Sequence, residues 1–297
     1  MDSDMTAPGF ERILSPDARL ERIAYGLEFG EGPVWNAREG YLLYTDIIGD
    51  TIWKWTPGVG ASIVLRPSGK ANGTTYDRQG RLVVAGWSAR TIWRMEADGA
   101  IVTIASHYQG KKINAPNDIV VKADGSIYWT DSTGALAIPA MAGPDVQQYL
   151  DAPSVLRLSA DGSAVTCLVD DFESPNGLVF SPDESLLYIN DTRRGHIRVF
   201  EVQGDGSLAN GRVFYQQRGS EPGNPDGMKV DTEGNVYCTG PAGIHVIDPQ
   251  GNLLGRIKIA DHVTNMAWGD ADWQTLYITA VPSVYRLRMN IAGIPVY

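Results

Sequence analysis

Six places along the chain carry an oxygen-bearing side chain followed by a small or apolar pair: Glu31-Gly32-Pro33, Asn72-Gly73-Thr74, Asn117-Asp118-Ile119, Asn176-Gly177-Leu178, Asp226-Gly227-Met228 and Asn265-Met266-Ala267. Brought together, two carboxylates and four amides would offer oxygen donors alone, the coordination that hard divalent cations such as calcium and magnesium prefer. Glu31 and Asp226 supply two negative charges, enough to neutralise such an ion, and Asn117 and Asn176 add neutral oxygens. Any one Asn or Asp before Gly is more simply a turn residue at the start of a strand. Six in register favour a shared site over that simpler reading.

Successive openings are 39 to 59 residues apart, the period of a propeller, solenoid or array. Each is followed by a turn signal such as Arg78-Gln79-Gly80 or Ala123-Asp124-Gly125, then by a strand-like run: YLLYTD at 41–46, RLVVAG at 81–86, SIYWTD at 126–131, LLYIND at 186–191, NVYCTG at 235–240 and TLYITA at 275–280. A third, alternating run comes next (TIWKW at 51–55, TIWRM at 91–95, SVYRL at 283–287, for example), and a fourth closes five of the six units. β-branched and aromatic runs between Gly/Asp turns read as antiparallel strands, so the expected class is all-β. The sixth unit lacks a fourth run, whereas LERIAYG at 20–26 stands before Glu31 in the phase of one. The reading is therefore a six-bladed β-propeller of four-stranded blades, its last blade closed by an N-terminal strand. Residues 1–12 are expected to be a flexible tail and 13–297 one propeller domain.

Strands within a blade alternate in direction, so all six openings share one face with the connections from second to third strands. Five of those connections are short; residues 132–153 form a long insertion in the third unit. A long loop over a site is often a lid or specificity element. The connection at 106–115, SHYQGKKINA, belongs to the same face and brings His107 and Asn114 near as candidate substrate contacts.

Lys plus Arg number 25 against 35 Asp plus Glu, a net charge of −10, which disfavours nucleic acid or an anionic membrane as partner. No apolar run approaches the roughly 20 residues needed to span a bilayer. The opening MDSDMTAPGF lacks a signal peptide's basic start and apolar stretch. Cys167 and Cys238 fall in strands of different units and read as reduced thiols, and a cytoplasmic location is expected. Of the four His residues, His196 and His245 lie in third strands as blade-surface residues. Asp46, Asp131 and Asp191, which end second strands, read as turn caps before substrate ligands.

The segments EGPVW at 31–35, NAPNDIVVKADGSIYWTD at 114–131, SPNGLVFSPD at 174–183 and PDGMKVDTEGNVY at 225–237 resemble the senescence marker protein/gluconolactonase family, which includes regucalcin-type lactonases. The resemblance runs from about residue 20 to 289. It implies a six-bladed propeller with one divalent cation in its channel, held by a Glu, two Asn and an Asp that match Glu31, Asn117, Asn176 and Asp226. It implies hydrolysis of sugar lactones, with Asp226 as general base. Calcium is the expected ion, with magnesium, manganese or zinc as alternatives. The ion would act as Lewis acid, and the attacking water would be activated by the ion or by Asp226. Asn72 and Asn265, outside the family's ligand set, would meet substrate hydroxyls or ordered water. Animal members often carry Arg two or three residues before the third-unit Asn; this chain has Asn114-Ala115-Pro116 there, and Asn114 takes that role. Two other readings stand beside the lactonase: phosphotriesterase-like chemistry at the same cation, as in the related diisopropyl fluorophosphatase, and a non-catalytic calcium-binding propeller.

Overall fold

The structure, a computed structural model, describes residues 3–5 and 9–297, without the side chains of 3–5 and Ala135. Six four-stranded antiparallel sheets form the blades of a ring, and their first strands line its axis. Those inner strands are Gly30–Asn36, Ala71–Tyr76, Ala115–Val121, Pro175–Phe180, Met228–Val230 and His262–Gly269. Blade six is completed by Glu21–Tyr25, which pairs antiparallel with Ser283–Arg288. The fold is thus the expected propeller, with the N-terminal strand closing its last blade.

Hydrophobic side chains on both faces of each blade pack against the next. Trp35 of blade one stacks on Tyr277 of blade six at 5.1 Å, Tyr128 of blade three meets Phe180 of blade four edge-on at 5.1 Å, and Tyr237 of blade five does the same to Trp268 of blade six. Burial of each such ring is worth roughly 1.5–3 kcal/mol, and these aromatics knit the ring together.

Within the stretch expected as a tail, described residues pack on blade five. Residues 1–2 and 6–8 lie outside the described residues, but Ser3–Met5 pairs along the outer edge of blade five, and Phe10 is buried against Gly255. At the other end, Asn290–Tyr297 crosses the face opposite the openings. Its Gly293 pairs with Asp231 of blade five, and its Tyr297 packs edge-on against Tyr76 of blade two and donates to Asn36.

His245 is a correction: it is fully buried, not on a blade surface. Its ring lies between the Tyr215 hydroxyl at 3.2 Å and the Pro241 carbonyl at 3.0 Å, an arrangement that suits the neutral imidazole. Burial lowers its pKa from 6.5 to about 4. A depressed His pKa means the unfolded chain takes up the proton first as pH falls. Stability is therefore complete above pH 6.5 and is lost between there and pH 4, by about 3 kcal/mol in all. In urea unfolding followed from pH 7 to 4, the difference between wild type and His245→Gln isolates this contribution, and wild type should lose stability relative to the variant as pH falls.

Candidate functional site

The recurring phrase is a β-bulge. Pairing between inner and second strands slips between Glu31 and Val34, Ala71 and Thr74, Pro116 and Ile119, Pro175 and Leu178, and Val263 and Asn265. In blade five the regular inner strand begins only at Met228, and before it Thr239 of the second strand takes the Asp226 N–H on its Oγ1 at 2.7 Å and gives its own N–H to the Gly227 carbonyl at 3.2 Å. Bulges re-aim side chains and are common beside active sites; here they turn the opening side chains toward the axis. The glycine after the opening residue has a reason of its own. A Cβ on Gly177 would lie 2.2 Å from the Asp226 carbonyl oxygen, and one on Gly227 2.1 Å from the Asn265 side chain. Only glycine lets neighbouring bulges come this close.

The backbone freed by the bulges is caught by the next-to-last residue of the second strand. Thr45 donates to the Asn72 carbonyl at 3.1 Å, Thr130 to that of Asn176 at 2.7 Å, and the Asn190 amide to that of Asp226 at 2.6 Å. The sequence carried this signal in YTD, YWTD and YIND, where attention falls on the Asp. That Asp caps turns. Asp46 accepts from Glu28, Phe29 and Gly49 N–H, and Asp191 from Glu173, Ser174, Arg193 and Arg194 N–H.

Glu31, Asn72, Asn117, Asn176 and Asp226 converge on one cavity of about 300 Å³ at the mouth of the channel. Glu31 is almost wholly buried, and its Oε2 accepts from Gly32 N–H at 2.7 Å and from the Asn265 amide at 2.9 Å. Asn176 donates to Thr192 Oγ1 at 3.0 Å, and Thr192 donates onward to the Pro225 carbonyl at 2.8 Å. That chain fixes the amide's orientation. The Asn72 carboxamide oxygen is buried with no partner among the described residues.

Burial above all raises Glu31 to about 7, aided by the charge of Asp118 and opposed by its donors and Lys229. Asp226 is pushed well above the carboxylate range by burial, then by the charges of Glu31 and Asp118. Among the described residues no three His, Cys, Asp or Glu side chains form a metal-holding group. The donor set is instead two carboxylates whose repulsion a cation would relieve, with two amides beside them. All four are hard oxygen donors, so the residues fit a hard divalent ion.

The insertion roofs this cavity. Ser132, Gly134, Ile138 and Met141 line it, and Met141 packs with Ile47, Trp87 and Ala115. Its far half is clamped. Arg90, 3% exposed, donates to the carbonyls of Asn114 and Asp145 and lies over the Tyr149 ring at 5.7 Å. Arg90→Met should strand these acceptors, lower unfolding free energy by about 2–4 kcal/mol, and speed proteolytic cleavage within 132–153. Denaturant titration and timed proteolysis measure both effects.

Three expected substrate contacts lie elsewhere. Asn114 is fully buried and structural: its side-chain oxygen accepts from Tyr149 and Leu150 N–H at 2.8 and 3.0 Å, anchoring the insertion. Asn265 sits beneath the cavity, bonded to Glu31. His107 is exposed on a separate two-stranded hairpin with Lys111–Lys112 and does not line the cavity. Phe29, Trp87, Arg193, Asn224 and His262 do line it, unforeseen because no repeat position marks them.

Residues 29–282 match the SMP-30/Gluconolactonase/LRE-like region family. The gluconolactonase of Zymomonas mobilis is 32% identical over 97% of this chain and 86% of its own length. A pentonolactonase of Haloferax volcanii is 25% identical over 84% of this chain and 80% of its own. The solved structure of a gluconolactonase from Xanthomonas campestris superposes with a TM-score of 0.90 at 33% identity, covering 97% of this chain and 95% of that one. Matched along nearly its whole length in sequence and fold, the chain belongs to the SMP-30/gluconolactonase family and is a lactonase.

Proposed function

We propose that the chain hydrolyses an aldonolactone in the cavity at the channel mouth, with one divalent cation, calcium foremost, held by Glu31, Asn117, Asn176 and Asp226. The observation that carries this is the convergence of two acids and two amides from four blades on one small cavity under a lid. The gluconolactonase and pentonolactonase relatives support a sugar lactone as substrate. When bound, the cation would supply Lewis-acid stabilisation of the negative charge that develops on the lactone oxygen.

The residues divide the remaining work. The Asn72 side-chain oxygen, buried without a partner among the described residues, accepts from a sugar hydroxyl. Ser132, Ser174, Thr192, Arg193 and Asn224 offer further polar groups around the ring. Phe29, Ile47, Trp87 and Met141 cover its C–H faces and limit stray water. Asp226 receives a proton from the attacking water as the water oxygen bonds to the carbonyl carbon. The ring C–O bond then breaks, and the ring oxygen takes up a proton to give the open hydroxy acid. The free thiols Cys167 and Cys238 support a reducing, cytoplasmic setting, and among the described residues no helix is long and apolar enough to cross a membrane.

A pH-indicator assay over a panel of sugar lactones and a phosphotriester, before and after chelation and after calcium is restored, tests the reading. Acid release from at least one lactone, lost on chelation and regained with calcium, is expected. Lactone turnover indifferent to chelator would overturn the cation's role. Turnover of the phosphotriester alone, or of nothing while calcium binds, would overturn the substrate.

A further inference from the structure

We propose that Lys229 is a built-in counter-cation of the channel, a positioning residue that sets at two the charge of the ion the cavity accepts. The inference rests on the cation site proposed above. Lys229 stands on the inner strand of blade five, Met228–Val230, just below that site. Its Nζ donates to the Met228 carbonyl at 2.9 Å and to the Asn265 side-chain oxygen at 3.4 Å. The Asn265 amide in turn donates to Glu31 Oε2 at 2.9 Å. The ammonium is therefore wired, through one amide, to a proposed ligand.

Asp118, on the inner strand of blade three, stands in the same field. It is 3% exposed; one carboxyl oxygen accepts from Ile119 N–H at 2.9 Å, and the other is buried with no hydrogen-bond partner among the described residues. Lys229 is the positive charge that acts on both Asp118 and Glu31. Asp118 has no place in the cavity wall, so direct ligation does not explain it.

Counting formal charges gives these residues a purpose. Glu31, Asp118 and Asp226 carry three negatives when ionised, and Lys229 returns one positive. The deficit is two. A divalent ion closes it, whereas a monovalent ion leaves one negative and a trivalent ion one positive in surroundings that hold little water. Uncompensated buried charge is costly, so the fixed charges discriminate by valence, while cavity size and donor type discriminate among divalent ions.

Calorimetric titration of the chelator-stripped chain with calcium and with terbium measures this as the ratio of the two dissociation constants. A ratio cancels any general loosening of the site. Wild type should bind one calcium ion. Lys229→Met should shift preference toward terbium by about tenfold or more, and Asp118→Asn should shift it about as far toward calcium. Asp118→Asn leaves the bonds of Lys229 intact and decides the matter if Lys229→Met loses ion binding altogether. Ratios unchanged, or moved the opposite way, in variants with native circular dichroism would overturn the role of Lys229 while the cation site stands. Wild type that binds no divalent ion would overturn the site itself and this inference with it.

Discussion

Replacing Asp226 with Ala is expected to lower kcat/KM for a sugar lactone by at least about a thousandfold, because one change removes a cation ligand and the proposed proton acceptor. The β-type circular dichroism should be unaltered. Asp226 ties neighbouring blades together through its backbone: its N–H donates to Thr239 Oγ1 at 2.7 Å, and its carbonyl accepts from Gly177 N–H and the Asn190 amide. None of these bonds involves the carboxylate. Burial and the charges of Glu31 and Asp118 penalise the ionised Asp226 side chain in the cation-free protein. The chelator-treated variant should therefore unfold at a temperature no lower than that of chelator-treated wild type. A large fall in melting temperature would show that the carboxylate supports the fold, and retained turnover of several lactones would remove Asp226 from the reaction.

Glu31→Gln should act differently. The amide keeps an oxygen for the Gly32 N–H and the Asn265 amide but cancels one of the two ligand charges. Cation affinity should fall about a hundredfold or more, and turnover should return as the cation concentration is raised. Asp226→Ala, lacking the base as well, should not be rescued in this way. Parallel titrations of activity against calcium separate the two. Equal loss in both variants with no recovery at any concentration would place Glu31 outside the ligand set.

The architecture was legible because it repeats. An oxygen-bearing opening, a turn and a strand recur six times in the sequence, and the missing fourth run of blade six had its counterpart in LERIAYG. Within the site, only residues at the repeated position could be read in advance. Glu31, Asn117, Asn176 and Asp226 do meet, because each opening is bulged or, in blade five, precedes the regular strand. Asn265 holds the same position yet bonds to Glu31 and Lys229 beneath the cavity rather than facing it. Asn114 looked like a substrate contact because it precedes an opening, but its side chain is spent on Tyr149 and Leu150. Phe29, Arg193 and Asn224 come from connections whose path depends on how blades pack, and no local pattern encodes that path; His262 opens its inner strand, before the repeated position. That Phe10, which opens the single turn Phe10–Arg12, docks on blade five was not legible, because a lone aromatic residue has no periodicity to announce it.

Side chains distant in sequence are proposed to hold one divalent ion at the mouth of the channel. Anomalous diffraction from crystals equilibrated with manganese tests that proposal most directly. A single strong peak is expected within bonding distance of Glu31, Asn117, Asn176 and Asp226. A catalytically active crystal with no peak there, or with its only peak outside the channel, would contradict it.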